Sequence, residues 1–407
     1  RLFSSCSKGI VSRITKSNLN YIYKQAVKDG KVPFNKHLLN ATTKYVGKSD
    51  SGIVSITVMT SPGEFSCPQN CSYCPDDPES ARSYDRSGPA DLRAASVGWD
   101  VVKQFRNRAL TLASMGHEIT KIELLVIGGT WSYHSKSYQR EFITGIYYAA
   151  NTFNSYTSRE IGTLESEIKL NETAESRIIG LTIETRPDHI NISEIKLLRS
   201  YGVTRVQLGV QHLSDKILNG INRKCSTDTT YAAFKLLLEN GLKIDAHFMP
   251  DLPGSSYESD LEMFEFLFSS QNDLVQADQL KIYPTMVTRF TKILEWYNEG
   301  TYVPYSELDN GQQLFDLIIY IVTHVPSWIR INRIVRDIPS TVISGKFRET
   351  NMYQRILKHM VDNNLKGTDI RAREIKLNDV DHSQCKTFIE SYRSSGGTEY
   401  FISYETL

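Results

Sequence analysis

The stretch Ile53-Val54-Ser55-Ile56-Thr57-Val58-Met59 is β-branched and aliphatic. Within eight residues it runs into Cys67-Pro68-Gln69-Asn70-Cys71-Ser72-Tyr73-Cys74. A short apolar run ending in turn-forming residues reads as a buried strand. Three thiols in eight positions on the loop behind it would leave one unpaired if two formed a disulfide, which favours metal or redox chemistry. Three thiolates on one loop can hold three irons of a [4Fe–4S] cluster and leave the fourth iron without a protein ligand. Structural zinc takes four ligands, and the nearest downstream histidine is His117. Zinc with a distant fourth ligand and chance clustering of inert thiols are the competing readings.

Five more runs of the same character follow: Lys121–Ile127, Ile178–Glu184, Arg205–Val210, Lys243–Met249 and Gln279–Pro284. Several are nearly continuous in apolar residues, as in strands buried on both faces. Between them, Leu92–Met115, Ile192–Tyr201, Thr229–Asn240 and Tyr257–Phe268 carry apolar residues at helical spacing. Gly116, Gly202 and Gly241 stand where helix C-termini prefer glycine. Alternating strand and helix predicts α/β architecture with a parallel sheet and right-handed crossovers. An open six-stranded sheet and a curved partial barrel both satisfy the pattern. Polar chemistry collects just after the strands: the cysteine triplet, Gly128-Gly129-Thr130, Glu184 to Asp188, Gln211-His212 and Pro250 to Gly254, with Lys281 and Tyr283 on the sixth. The carboxyl edge of parallel strands is where active sites form.

The 407 residues carry 47 Lys+Arg and 46 Asp+Glu, a balance that taken whole argues against nucleic acid. Resolved by segment it is uneven. Residues 1–50 hold ten basic and two acidic residues, net +8, and residues 330–400 hold 13 and 9, net +4. Residues 51–329 hold 24 and 34, net −10. Three regions are expected: a basic segment at 1–50, the α/β core at 51–290, and an extension at 291–407 with its own strand at Ile329–Val335. No apolar run is long enough for a membrane helix; Leu314–Val325 reads as a buried helix. Six cysteines are too few for a disulfide scaffold, which implies a reducing, intracellular setting. The chain opens on Arg1 rather than Met, so it is expected to be trimmed, and a removed targeting segment stays open.

The CxxxCxxC after the first strand, Tyr73 before its last cysteine and Gly128-Gly129 after the second strand resemble the radical-SAM superfamily. Longer motifs resemble one family within it, the catalytic subunit of Elongator and the tRNA uridine(34) acetyltransferases. They include Leu92-Arg93-Ala94, Ile183-Glu184-Thr185-Arg186-Pro187-Asp188, Gly209-Val210-Gln211, Asn222-Arg223, His247 to Pro253, Lys281 to Thr285, Arg333 to Pro339 and Arg371 to Glu374. The resemblance spans residues 20–405. It implies a partial (β/α)6 barrel of TIM type with a C-terminal α/β extension. It also implies a [4Fe–4S] cluster on Cys67, Cys71 and Cys74, bound S-adenosylmethionine, and acetyl-CoA as co-substrate. The implied reaction is a carboxymethyl-type modification at C5 of wobble uridine 34 in tRNA. Elongator-type subunits or a second copy would be partners, in the cytoplasm or the nucleus. The cysteine gap of three is the general superfamily spacing and shorter than in most of this family. Gly396 to Glu405 resembles the start of the family's acetyltransferase domain, and no pyrophosphate-binding loop occurs in the sequence. The chain is therefore expected to lack the module that hydrolyses acetyl-CoA.

On that resemblance, Tyr73 lies near the adenine, and Gly128, Gly129 and Thr130 near the methionine amino group. Lys281 and Tyr283, two apart on one strand and so on one face, point to the acetyl group or the uridine; salt bridges from Lys281 to Glu184 or Asp251 are the plainer alternative. Glu184 and Arg186 read equally as an ion pair or as cofactor contacts. Gln211 is placed to reach the cofactor, and His247 reads as a hydrogen-bonded core histidine ahead of a catalytic one. The N-terminal run Asn20-Tyr21-Ile22-Tyr23-Lys24-Gln25 mixes aromatics with cations, a composition suited to phosphates and unpaired bases. Lys16, Tyr21, Lys24, Lys28 and Lys31 on one side, and Arg333, Arg336, Arg371 and Arg373 on the other, form the expected tRNA cradle. Two other functional classes fit the motifs: an RNA-binding or assembly protein with a structural cluster, and a radical-SAM enzyme with another substrate.

Overall fold

The computed structural model describes residues 15–406 except 50, 64–66, 68, 155–158, 337, 349–351 and 377. Seven strands form one sheet: β1 Val54–Met59, β2 Lys121–Ile127, β3 Arg177–Thr185, β4 Arg205–Gln211, β5 Lys243–Phe248, β6 Gln279–Ile282 and β7 Arg330–Ile334. They lie in the order 1 to 7, every neighbouring pair parallel. A strand order that never reverses winds the chain in one direction, which is the barrel solution rather than the doubly wound sheet. β1 and β7 do not pair, so the sheet is a half-barrel open on one side. The strand expected to open the extension is its seventh stave: Gln279 pairs with Arg330 and Ile282 with Ile334.

The strands are not apolar on both faces. Ile56, Val58, Leu124, Val126, Ile183, Val206, Leu208, Ile244, Phe248, Leu280 and Ile282 are buried in one core under the helices. Burial of each such side chain contributes about 1.5–3 kcal/mol. Their alternates face inward and are largely polar. At the floor, Arg205 of β4 pairs with Glu123 of β2 across Gly180 of β3, where the missing side chain leaves the path open. Above them, Gln207 Nε2 donates to Asp245 Oδ2 at 3.1 Å and Asn332 Nδ2 donates to the same oxygen at 2.9 Å.

The expected helix at Leu92–Met115 is two, Pro89–Ala95 and Val101–Ser114. Gly98 and Trp99 take left-handed backbone between them, with φ +62° and +55°. Asp100 then restarts the helix by accepting from Lys103 N at 3.0 Å, a standard N-cap. Gln312–His324 is the expected buried helix, with Leu314, Leu317, Ile318 and Ile321 in the core.

The basic N-terminal segment is docked. Its helix Lys16–Lys28 buries Asn20, whose amide donates to the hydroxyls of Thr42 and Thr43 at 3.1 and 3.2 Å. After β7, helix Met352–Asp362 leads to the antiparallel hairpin β8 Cys385–Ser394 and β9 Gly397–Thr406. One hairpin face is fastened by Trp328 stacked on Tyr392 at 4.2 Å and by the Arg373–Glu405 ion pair.

Candidate active site

The cysteine loop lies at the carboxyl end of β1, stitched to two distant segments by backbone hydrogen bonds. Ser72 N donates to Ile221 O at 2.9 Å, Ile293 N to Ser72 O at 3.0 Å, and Asp76 N to Phe290 O at 2.9 Å. Cys71 is buried. Arg186 Nη1 donates to its sulfur at 3.5 Å, and Arg223 Nη1 approaches at 3.7 Å. Burial alone would raise the Cys71 thiol, but these two guanidiniums outweigh it and hold the thiol below its ordinary value. Burial, reinforced by the Cys71 charge, pushes Cys74 up to about 12, with Arg82 opposing. Asp188 binds Arg186 through two contacts of 2.8 Å, and Asp76 binds Arg82 at 2.6 Å.

A cavity of about 520 Å³ opens beside the loop. Tyr73, Cys74, Glu184, Gln211, His247, Lys281 and Tyr283 line it together. Glu184 and Arg186 do not pair; Glu184 instead accepts from the Tyr84 hydroxyl at 2.8 Å. Lys281 has neither of the salt bridges weighed for it: Asp251 accepts from the backbone N of Tyr305 and Ser306. His247 departs from its reading as a hydrogen-bonded core residue. Its Nε2 is buried with no hydrogen-bond partner among the described residues, and its ring meets Tyr283 edge-on at 4.5 Å. Burial, with Lys281, Arg336 and Arg223 nearby, holds that imidazole far below its usual range and therefore neutral. Gln211 sits at a bulge in β4 with φ +75°, its Oε1 also buried and unpartnered.

Gly128, Gly129 and Thr130 are not among the lining residues. A side chain on Gly128 would collide with the Thr60 hydroxyl, and one on Gly129 would come 3.0 Å from Arg82 O. The glycines thus let the end of β2 pack on the loops behind the site. Arg333 and Arg336 line the cavity; Arg336 donates to Ser83 O at 2.6 Å and covers the Tyr84 ring. Lys16, Tyr21 and Lys28 are exposed. Lys24 is engaged with Gly116 O at 2.9 Å, and Lys31 with Asp29 at 2.9 Å. Arg371 donates to Asn332 O at 2.9 Å, while Arg373 holds Ser327 O, Thr368 O and Glu405. Sequence reasoning gave no role to Arg82, Arg223 and Tyr84: the partners of Arg223 and Tyr84 are remote in the chain, while Arg82 meets Asn70 and Asp76 close by without any motif to mark it.

Among the described residues, no three His, Cys, Asp or Glu side chains stand close enough together to hold a metal ion. Cys67 lies beside residues outside that description, yet its charge is felt at Cys74. The donor chemistry nonetheless fits an anionic thiolate cluster, since three guanidiniums ring the thiols and Cys74 faces the cavity.

The parallel half-barrel with a cysteine loop at its carboxyl edge is a radical SAM architecture. Residues 65–267 match the Radical SAM superfamily and residues 277–362 the Radical SAM C-terminal domain. The tRNA uridine(34) acetyltransferase of Methanocaldococcus infernus is 36% identical over 384 residues, covering 91% of this chain and 69% of that protein. That of Dehalococcoides mccartyi is 37% identical over 370 residues, with 89% and 76% covered. Human Elongator complex protein 3 is 33% identical over 373 residues, with 88% and 66% covered. The solved structure of the archaeal M. infernus Elp3 with an N-terminal deletion (1–46) superimposes with a TM-score of 0.73 at 34% identity, over 87% of this chain and 75% of that one. The chain belongs to the tRNA uridine(34) acetyltransferase/Elongator complex protein 3 family of radical SAM enzymes. Superfamily membership implies a [4Fe–4S] cluster and S-adenosylmethionine. No helix among the described residues is long and apolar enough to cross a membrane.

Proposed function

We propose that this chain modifies tRNA at C5 of wobble uridine 34, forming a carboxymethyl-type product from acetyl-CoA and S-adenosylmethionine. The observation that carries the reading is one cavity shared by Cys74 and Tyr73 of the cysteine loop and by Lys281, His247 and Tyr283 of the inner strand face. Cys67, Cys71 and Cys74 would hold the cluster. Once bound, cluster and S-adenosylmethionine supply one-electron chemistry for abstracting a hydrogen atom. Arg186, Arg223 and Arg82 offset the negative charge of the thiolates. Tyr73, Glu184, Arg186 and Gln211 present polar groups on the cofactor side, shaped from behind by Gly128, Gly129 and Thr130.

Lys281 has no hydrogen bond or ion pair among the described residues, so its ammonium can hold a carbonyl oxygen or developing anion on the substrate. His247 is neutral and can accept or donate at Nε2 without adding charge. Lys16, Tyr21 and Lys28 present an exposed basic and aromatic surface for tRNA, and Arg333 and Arg336 guard the cavity on the β7 side. Acetyl-CoA use and assembly with Elongator-type subunits or a second copy, in a cytoplasmic setting, belong to the same reading.

The test is anaerobic reconstitution with iron and sulfide, followed by assay of 5′-deoxyadenosine with and without acetyl-CoA and tRNA, and mass analysis of the tRNA nucleosides. Release that rises with both substrates, and a heavier uridine 34, is the expected result. A full cluster without any release would leave an RNA-binding or assembly protein. Release that ignores tRNA would point to another substrate.

A further inference from the structure

The cavity has a further set of lining cations. Besides Thr57 and Leu125 of the inner sheet face it is lined by Lys48, Arg93 and Arg108. They come from three separate elements: the turn Val46–Lys48 and the helices Pro89–Ala95 and Val101–Ser114. Of the other cations lining the cavity, Arg336 is held by Ser83 O, while Lys281 on the inner strand face has no hydrogen bond or ion pair among the described residues. Lys48, Arg93 and Arg108 have no carboxylate partner among the described residues, and Lys48 only caps the ring of Tyr45 at 5.2 Å. Desolvation and the facing charge of Arg108 both disfavour the Arg93 cation. Lys24, Lys48 and Arg108 together bear on the buried His117 behind them. Lys48 and Arg93 are exposed and Arg108 half-buried, so the cost of gathering them is mutual repulsion, which a bound anion relieves. A guanidinium fork fits the oxygens of a phosphate in two-point geometry.

We propose that Lys48, Arg93 and Arg108 form a phosphodiester-binding subsite, which grips the RNA strand beside the nucleotide that enters the cavity. The proposal rests on the tRNA reading above and adds where the strand is held. A nucleotide drawn out of its stack must be followed by its own backbone, and contacts to phosphate fix register without reading sequence. The cavity reaches β1 at Thr57 and β7 at Arg333, the two unpaired edges. The strand therefore enters through the open side of the half-barrel, with this trio on one flank.

The experiment measures binding of a tRNA anticodon stem–loop by the reconstituted chain as salt is raised. The comparison is among wild type, the double variant Arg93→Gln/Arg108→Gln, the single charge reversal Lys48→Glu on an exposed turn, and a Lys235→Gln control remote from the site. Removing one cation from a phosphate lowers the slope of log K against log salt by about 0.7–0.9. The double variant is expected to reduce the slope by about 1.5 and to weaken binding at least tenfold at low salt. Lys48→Glu should shift the same way, and Arg93→Lys should keep the slope while binding more weakly. A parallel titration with desulfo-CoA, whose phosphates share this chemistry, separates the sources. Abolished desulfo-CoA binding with an intact tRNA slope would overturn the RNA assignment. So would unchanged slopes in all variants of a chain that binds tRNA, with the tRNA reading left standing. Failure of the wild type to bind tRNA would overturn both.

Discussion

Arg186 donates to the Cys71 sulfur at 3.5 Å while Asp188 grips the other side of its guanidinium with two contacts of 2.8 Å. The carboxylate fixes the fork, and the fork faces the thiol, an outer-shell arrangement typical of tuned metal ligands. Replacing Arg186 by Ala removes charge and orientation together. Cluster affinity should fall about 10- to 100-fold, read as iron per chain and visible absorbance after reconstitution and gel filtration. Asp188→Asn should produce a smaller decrease in the same direction.

Lys281 stands half-buried in the cavity with no hydrogen bond or ion pair among the described residues. Lys281→Met should lower the denaturation midpoint only slightly, because no direct contact is lost and only the longer-range attraction to the buried Asp245 goes with the charge. Modified uridine formed per hour should drop by two orders of magnitude or more if the ammonium stabilises developing charge, an effect worth about 2.7–4 kcal/mol in comparable sites. Thermal melts and nucleoside mass spectrometry check the two halves separately.

Asp251 supplies the pH dependence. Burial pushes its carboxyl up to about 7 from 3.8, against backbone donors at Tyr305 and Ser306 and with the Asp260 charge adding to the rise. The folded state therefore holds a proton that the unfolded chain has released between those values. Its contribution is fully present below about pH 4 and declines as pH rises towards 7, by up to about 1.4 kcal/mol per unit. Asp251→Asn should be less stable than wild type at low pH, and the gap should close on the way to neutral. Urea midpoints at half-unit intervals of pH would show whether it closes or stays constant.

Gly128 has φ +128° and no room for a methyl group beside Thr60. Gly128→Ala should cost about 1–3 kcal/mol from backbone strain alone, with the clash added. Adding Thr60→Ala should relieve the clash and leave the strain, a partial rescue visible in denaturant midpoints. Full rescue by the second change would show that the backbone conformation is not what demands glycine.

Strand positions are legible because outward-facing runs such as Ile122, Leu124 and Val126 are strongly apolar. The inner face is not: single polar residues such as Gln207 and Asp245 look like interruptions until the curl of the sheet gathers them. β7 reads as part of an extension because the strand–helix rhythm stops near residue 290 and the link from Ile282 to Arg330 is long. The cysteine loop is legible as donor chemistry and Arg186 as a candidate for an ion pair or cofactor contact, but the approach of Arg186 and Arg223 to Cys71 is not. Arg186 is 115 residues from Cys71 and Arg223 is 152 residues away, distances at which one sequence offers no spacing to read. The split at Gly98 is hidden because an isolated glycine is tolerated in a helix, and only its pairing with a left-handed Trp99 marks the break.

The two faces of the curled sheet divide the work of the molecule. The outer face, under the helices, supplies the cohesion that keeps the domain folded. On the inner face Glu123, Gln207 and Asp245 are tied into polar contacts that the sheet depends on, whereas His247 and Lys281 make no hydrogen bond among the described residues. Exchanges at those two positions can therefore alter what is accommodated in the lumen while the scaffold stays sound. The half-barrel is in this sense a chassis whose interior fittings are replaceable, and new substrate preferences can arise in it without first being made tolerable by stabilising changes elsewhere.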